Sequence, residues 1–270
     1  MVISVINQKG GVGKTTVSIN LAVALAMRNT DSRVLLIDAD SQANTTTAVL
    51  GAKKAMEYWE MPMAKRTIGG VLVDDIPPQE TILTLTNNRG VSLDILPSSL
   101  YVATSELELM RHMNGAYAMR IATKPLVREY DFIIVDSSPS MGRMFMNVVL
   151  ASDALIIPVN PSEFARIGFD LIVDAINGIA KQSKRDIKIL GSVLNMTRRT
   201  KDTDRAREAL GQLNVPIITE IPLRAKIERC VAAGIDSEGE FGDVFSDGDE
   251  MIKQRFYDIA AAVEGVVAHG

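Results

Sequence analysis

With 270 residues, 47% hydrophobic, 23% charged and a net charge of −4, the chain can bury a substantial core, and nothing in its composition suggests a disordered or fibrous class. The mild negative charge excludes a wholesale nucleic-acid coat, though not a local basic patch. No apolar run reaches the ~18 residues of a bilayer span, and the lone Cys230 excludes a disulfide framework or a cysteine-ligated cluster. The N-terminus enters a strand directly, without a charged leader or an apolar h-region, so the expectation is a cytoplasmic protein.

The first predicted strand, near Val2–Asn7, runs into Lys9-Gly10-Gly11-Val12-Gly13-Lys14-Thr15-Thr16, and a helix is predicted over 15–28. Strand, glycine-rich turn and helix are the context a phosphate loop requires. The glycines let the backbone curl so that successive N–H groups face phosphate oxygens beside a helix N-terminus. Lys14 is placed to reach the β- and γ-phosphates, and the Thr15 hydroxyl to sit on Mg²⁺. The pattern G-x-x-x-x-G-K-[ST] asks for Gly where Gln8 stands, so the loop departs from it, and Lys9 is a second lysine within it. A turn alone needs neither lysine nor the threonine pair.

A second strand, near Arg33–Asp38, opens into Asp38-Ala39-Asp40-Ser41-Gln42. Residues 51–90 then break the rhythm with methionines, Gly69-Gly70, Pro77-Pro78 and Asn87-Asn88, and read as an insertion on the sheet edge. Further strands are predicted near Ser92–Leu96, Phe132–Asp136, Ala154–Val159, Ile187–Asn195 and Pro216–Ile221, with helices over 102–113, 117–129, 162–181, 203–213 and 249–267. The alternation predicts one α/β domain over 1–270, a mostly parallel twisted sheet with helices on both faces.

In such a sheet ligands bind beyond the carboxyl ends of the strands. Asp136, after Phe132-Ile133-Ile134-Val135, fits an acid that holds Mg²⁺ through water. Asp40 is the candidate to orient an attacking water, with Asp38 supporting the metal shell. The competing reading is that a strand-terminal Asp caps the turn that follows.

Residues 181–229 carry twelve Lys/Arg against six acids, and 236–250 carry seven acids and no base. The basic stretch is either an electrostatic footprint for DNA phosphates or a set of solvated helix faces, since Arg205 and Arg207 alternate with Asp204 and Glu208. No aromatic lies from 170 to 240, so phosphate contacts rather than base stacking would carry DNA affinity.

The phosphate loop, Asp38-Ala39-Asp40-Ser41-Gln42-Ala43-Asn44 and Ile133-Ile134-Val135-Asp136 together resemble the deviant Walker A P-loop NTPases of the ParA/MinD family. Asp94-Ile95-Leu96-Pro97-Ser98-Ser99-Leu100 and Ile157-Pro158-Val159-Asn160-Pro161-Ser162-Glu163-Phe164 are similar to its ParA/Soj partition branch, and the resemblance spans roughly residues 1–230. It implies ATP and Mg²⁺ as ligands, with Lys9, Gly10, Gly11, Val12, Gly13, Lys14, Thr15, Thr16 and Asn195 at the nucleotide. Thr15, Asp38 and Asp136 would stand at the metal, and Lys9, Lys14, Asp40 and Asp136 would serve catalysis.

Lys9 matches the signature lysine that crosses a homodimer to the partner's ATP. Asn195 is either a reader of the adenine edge or a strand-end turn residue. Nonspecific double-stranded DNA, a centromere-binding ParB-like partner and nucleoid association are implied, with Arg198, Arg199, Lys201, Arg224 and Lys226 as DNA contacts and no membrane.

The sequence departs from the family at Ser41, where Pro is usual, and at Ser137-Ser138-Pro139, where a small residue and two prolines are usual. Two alternatives stay open. One is a MinD-like membrane-surface ATPase, whose anchor would be the last helix with its stripe of Ile252, Phe256, Ile259, Val263 and Val266; that stripe reads more simply as a core-packing face. The other is a positioning ATPase for a non-DNA cargo.

Overall fold

In the computed structural model the described residues are 1–267, excepting 88, 163–164, 214, 225–226, 228–242 and 246–248. Eight strands form one sheet: β1 (Val2–Val5), β2 (Val34–Ala39), β3 (Leu83–Thr86), β4 (Ser92–Leu96), β5 (Phe132–Ser137), β6 (Ala154–Val159), β7 (Lys188–Thr197) and β8 (Ile217–Pro222). Their spatial order is β3-β4-β2-β5-β1-β6-β7-β8. Every neighbouring pair is parallel except β3–β4, which is antiparallel at the edge.

The helices are α1 (Lys14–Arg28), α2 (Asn44–Leu50), α3 (Ala52–Met56), α4 (Ile68–Val73), α5 (Tyr101–Arg111), α6 (Ala118–Leu126), α7 (Arg143–Ala151), α8 (Ala165–Ser183), α9 (Lys201–Gln212) and α10 (Glu250–Val267). Helices cover both sheet faces, so alternate side chains of one strand enter different cores. In β2, Val34 and Leu36 join α1, α2 and α10, whereas Leu35 and Ile37 join α4 to α9. Strands buried on both faces lose the polar alternation of half-exposed ones. Each fully buried Leu or Ile contributes about 1.5–3 kcal/mol.

All seven expected strands are present. β3, α2, α3, α4 and α7 were not expected. Residues 51–90 supply α3, α4 and the antiparallel β3, which pairs with β4 through Thr84↔Asp94. α7 is nine residues of almost unbroken apolar sequence, too short for a helical period to stand out. Its start is fixed by tertiary contact, where the Met144 N–H donates to Glu106 Oε1 of α5 at 3.0 Å.

The apolar stripe of α10 lies in the core, with Ile252, Phe256, Ile259 and Val263 buried beside α1. Arg28 and Glu264 pair at 2.9 Å and bind the two helices together. No helix among the described residues is long and apolar enough to cross a membrane.

Candidate functional site

The parallel order places the ends of β1, β2 and β5 side by side, and three loops with chemistry leave from there. Gly11 and Gly13 adopt left-handed φ values of +70° and +91°, a backbone open to glycine and strained for other residues. A Cβ on Gly11 would meet nothing within 4 Å, whereas one on Gly13 would run into Asn195 Nδ2. α1 starts directly after Gly13 with no side-chain cap, so its first N–H groups face the loop's concavity. A cavity of about 610 Å³ opens there, lined by Gly10, Gly11, Gly13, Lys14, Thr15, Thr16, Asp40 and others.

Lys14 is buried, and its Nζ donates to the Lys9 carbonyl at 3.3 Å. Burial holds its ammonium below the usual lysine range, opposed by the charges of Asp136 and Asp40. A buried cation tethered to the loop's own carbonyl suits a polyphosphate. Lys9 differs: it is exposed, and its Nζ reaches Asn160 Oδ1 at 3.3 Å and Ser162 Oγ at 3.5 Å beyond β6. The second lysine therefore stands outside its own loop.

Asp136 is buried at the end of β5 among three hydroxyls. Thr15 and Thr45 donate to Oδ2 at 2.7 and 2.6 Å, and Ser18 donates to Oδ1 at 3.1 Å. Burial pushes its carboxyl up, while those hydroxyls and Lys14 pull it back. The Thr15 hydroxyl against an acidic oxygen is a hard-oxygen donor set that fits Mg²⁺, which keeps most of its waters and takes few protein ligands. Asp40 lines the cavity, accepts from the Gln42 N–H at 3.0 Å, and is also pushed up by burial.

Asp38, expected to support the metal shell, lies beneath the loop that carries Asp40. It is fully buried, Oδ2 accepts from Thr46 N–H and Oγ1 at 2.8 and 2.7 Å, and Oδ1 accepts from the Asp40 N–H at 3.1 Å. Both oxygens are thus engaged in shaping the loop that carries Asp40. Asn195 is likewise engaged: Nδ2 donates to the Val12 carbonyl at 2.9 Å and Oδ1 accepts from Met196 N–H at 2.9 Å, bracing the phosphate loop from β7.

The sequence reading missed Ser18, Thr45, Thr46 and Ser98. Ser18 lies one turn beyond Thr15 on the same face of α1, and the polar run Asn44-Thr45-Thr46-Thr47 after Asp40 was the available signal. Ser98 Oγ donates to the Asp40 carbonyl at 2.7 Å, and its N–H donates to Thr46 Oγ1 at 2.8 Å. The departures also find partners: Ser137 Oγ donates to the Val5 carbonyl at 2.9 Å, and Gln8 Nε2 donates to the Gly168 carbonyl at 3.4 Å.

Arg198, Arg199, Lys201 and Arg224 come together beyond β7 and β8, lining a concavity of about 950 Å³ with Arg207, Glu220 and Arg255. None of those four forms an ion pair among the described residues. Arg207 is paired with Glu220 at 2.7 Å and Asp204 at 2.8 Å, and Arg205 with Asp202 at 3.6 Å, so these two belong to solvated helix faces. Lys226 lies outside the described residues.

The family model described as "AAA domain" matches residues 1–189. The chain is 34% identical over 195 residues to the sporulation initiation inhibitor protein Soj of Bacillus subtilis, covering 72% of each chain. This chain belongs to the ParA/Soj family of partition ATPases. It is also 35% identical over 195 residues to the chromosome partitioning protein ParA of Myxococcus xanthus, covering 72% of this chain and 64% of that one. The fold is that of the McdA(D38A)–ATP complex of Cyanothece, with a TM-score of 0.82 at 21% identity over 97% of this chain and 96% of that one. The loop and Asp40 line one cavity, and Asp136 meets it through the Thr15 hydroxyl.

Proposed function

We propose that the chain is an ATP-driven partition switch, in which an ATP-bound sandwich dimer binds duplex DNA without sequence preference and a ParB-like, centromere-binding partner triggers hydrolysis and release. One observation carries the reading: the phosphate loop and Asp40 line one cavity, Asp136 is tied to it through the Thr15 hydroxyl, and Lys9 stands exposed, turned away towards Asn160 and Ser162. Lys14 and the α1 N-terminus hold the phosphates, and Asp40 orients the attacking water. Thr15 and Asp136 would hold Mg²⁺, which would supply positive charge to the phosphates. Lys9 would then leave Asn160 and Ser162 for the phosphates of a second copy, coupling the dimer to ATP.

Arg198, Arg199, Lys201, Arg224 and, from the sequence, Lys226 offer the cations for DNA phosphates, and the protein would gather on the nucleoid. The burial of Ile252, Phe256, Ile259 and Val263 in the core favours this reading over the membrane-surface alternative. The test is binding to nonspecific duplex DNA with ATP, ADP or no nucleotide at two salt concentrations, comparing wild type with Lys9→Ala and Arg198→Ala/Arg224→Ala. The reading expects ATP-dependent binding that weakens with salt and is lost in both variants. Indifference to DNA in every nucleotide state would overturn it.

A further inference from the structure

We propose that Thr45 is a positioning residue that holds Asp136 for Mg²⁺ and so joins the metal site to the loop carrying Asp40. This rests on the magnesium–nucleotide reading of the site and is independent of partition, DNA or the partner. Asp136 Oδ2 accepts two hydroxyls at once, from Thr15 at 2.7 Å and from Thr45 at 2.6 Å. They arrive from different elements. Thr15 belongs to the first turn of α1, whereas Thr45 is the second residue of α2, which begins four residues after Asp40.

Thr45 is fully buried and Asp136 nearly so, which makes this a charge-assisted hydrogen bond away from water. Its neighbour Thr46 ties the same helix start to Asp38, and Asp38 receives the Asp40 N–H. Two consecutive threonines therefore clip α2 to two strand-terminal acids. With Mg²⁺ at the Thr15 oxygen, Thr45 and Ser18 remain to hold the carboxylate, and Thr45 alone of these reaches it from the Asp40 side. A merely structural threonine would support the fold equally with and without the metal. A positioning one acts on metal affinity and on how far the metal orders residues 40–47.

The test loads full-length wild type, Thr45→Val, Thr45→Ala and Thr45→Ser with a fluorescent ATP analogue and titrates Mg²⁺ while nucleotide release is followed. In Thr45→Val and Thr45→Ala the half-saturating Mg²⁺ should rise by roughly tenfold or more, the loss of one hydrogen bond to a charged group. Thr45→Ser should restore the wild-type value, and affinity for the analogue without Mg²⁺ should stay within about twofold. Hydrogen exchange over 40–47 should show Mg²⁺-dependent protection in wild type and Thr45→Ser only. If neither Val nor Ala folds, Thr45→Cys, with similar volume and a weaker donor, carries the same expectation.

Superimposable Mg²⁺ titrations would overturn the proposal, as would an equal loss of nucleotide affinity with and without Mg²⁺. A wild type that retains nucleotide regardless of Mg²⁺ would instead overturn the site reading beneath it.

Discussion

Asp38 and Asp136 stand directly opposite each other on the adjacent parallel strands β2 and β5, and both are buried. Two carboxylates side by side away from water cannot both ionise freely. Burial first, and then the charge of Asp136, pushes Asp38 up from 3.8 to about 8. Folding therefore takes up a proton at Asp38 when the pH lies between those values. This group's contribution to stability is greatest below about pH 4, falls as the pH rises towards 8, and is flat above, with a slope of up to about 1.4 kcal/mol per pH unit. Urea midpoints of wild type and Asp38→Asn at pH 5.5 and 8.0 measure it, and the variant should lose less stability between the two.

Gly13 and Asn195 share one space. Gly13→Ala would meet both the left-handed φ and the Asn195 amide. The expected loss is about 1–3 kcal/mol from backbone strain alone, together with loss of nucleotide binding as the Asn195–Val12 bond breaks. Asn195→Ala removes the obstruction without the strain, so Gly13→Ala/Asn195→Ala should recover part of the stability in thermal unfolding.

Lys14 and Asp40 should separate binding from chemistry. Lys14→Ala is expected to weaken ATP binding by roughly 10- to 100-fold, the loss of a charge-assisted contact. Asp40→Ala should leave ATP binding within a few-fold and lower turnover by roughly 10²–10⁴. Calorimetric titration with a nonhydrolysable analogue and phosphate release measure the two. Equal loss of binding in both variants would contradict the assignment.

Glu106 caps α7, the helix entered from the loop after Asp136. Glu106→Ala should cost about 0.5–2 kcal/mol in denaturant unfolding, the usual range for a lost helix cap. It should also raise hydrogen exchange at 138–146 more than at the sheet. Protection unchanged in that segment would mean the cap does not hold the loop.

The strands were legible because parallel strands covered on both sides are short apolar runs between helical stretches, as in Ile133-Ile134-Val135 and Leu155-Ile156-Ile157. The phosphate loop was legible because its glycines, lysine and threonines are adjacent in the chain and need no partner to be recognised. α7 was not, because a nine-residue stretch with seven apolar residues is too short to show a helical period, and its N-terminus is capped by a residue of another helix. Asp38 was read as a metal support from its place at a strand end. Its hydrogen-bond partners, Thr46 and the Asp40 amide, depend on how the loop folds back.

By itself, the sequence determined the α/β class and the glycine-rich turn between β1 and α1, and it put Asp40 and Asp136 at strand ends, because local spacing encodes strand, turn and acid within a few residues. Only the tertiary structure decided which hydroxyls surround Asp136, which residue braces the loop from β7, and which cations share the concavity beyond β8. Those contacts join Thr15 to residue 136, Val12 to Asn195 and Ser98 to Asp40. Side chains so far apart in the chain meet through sheet order and strand register, which local pattern does not carry.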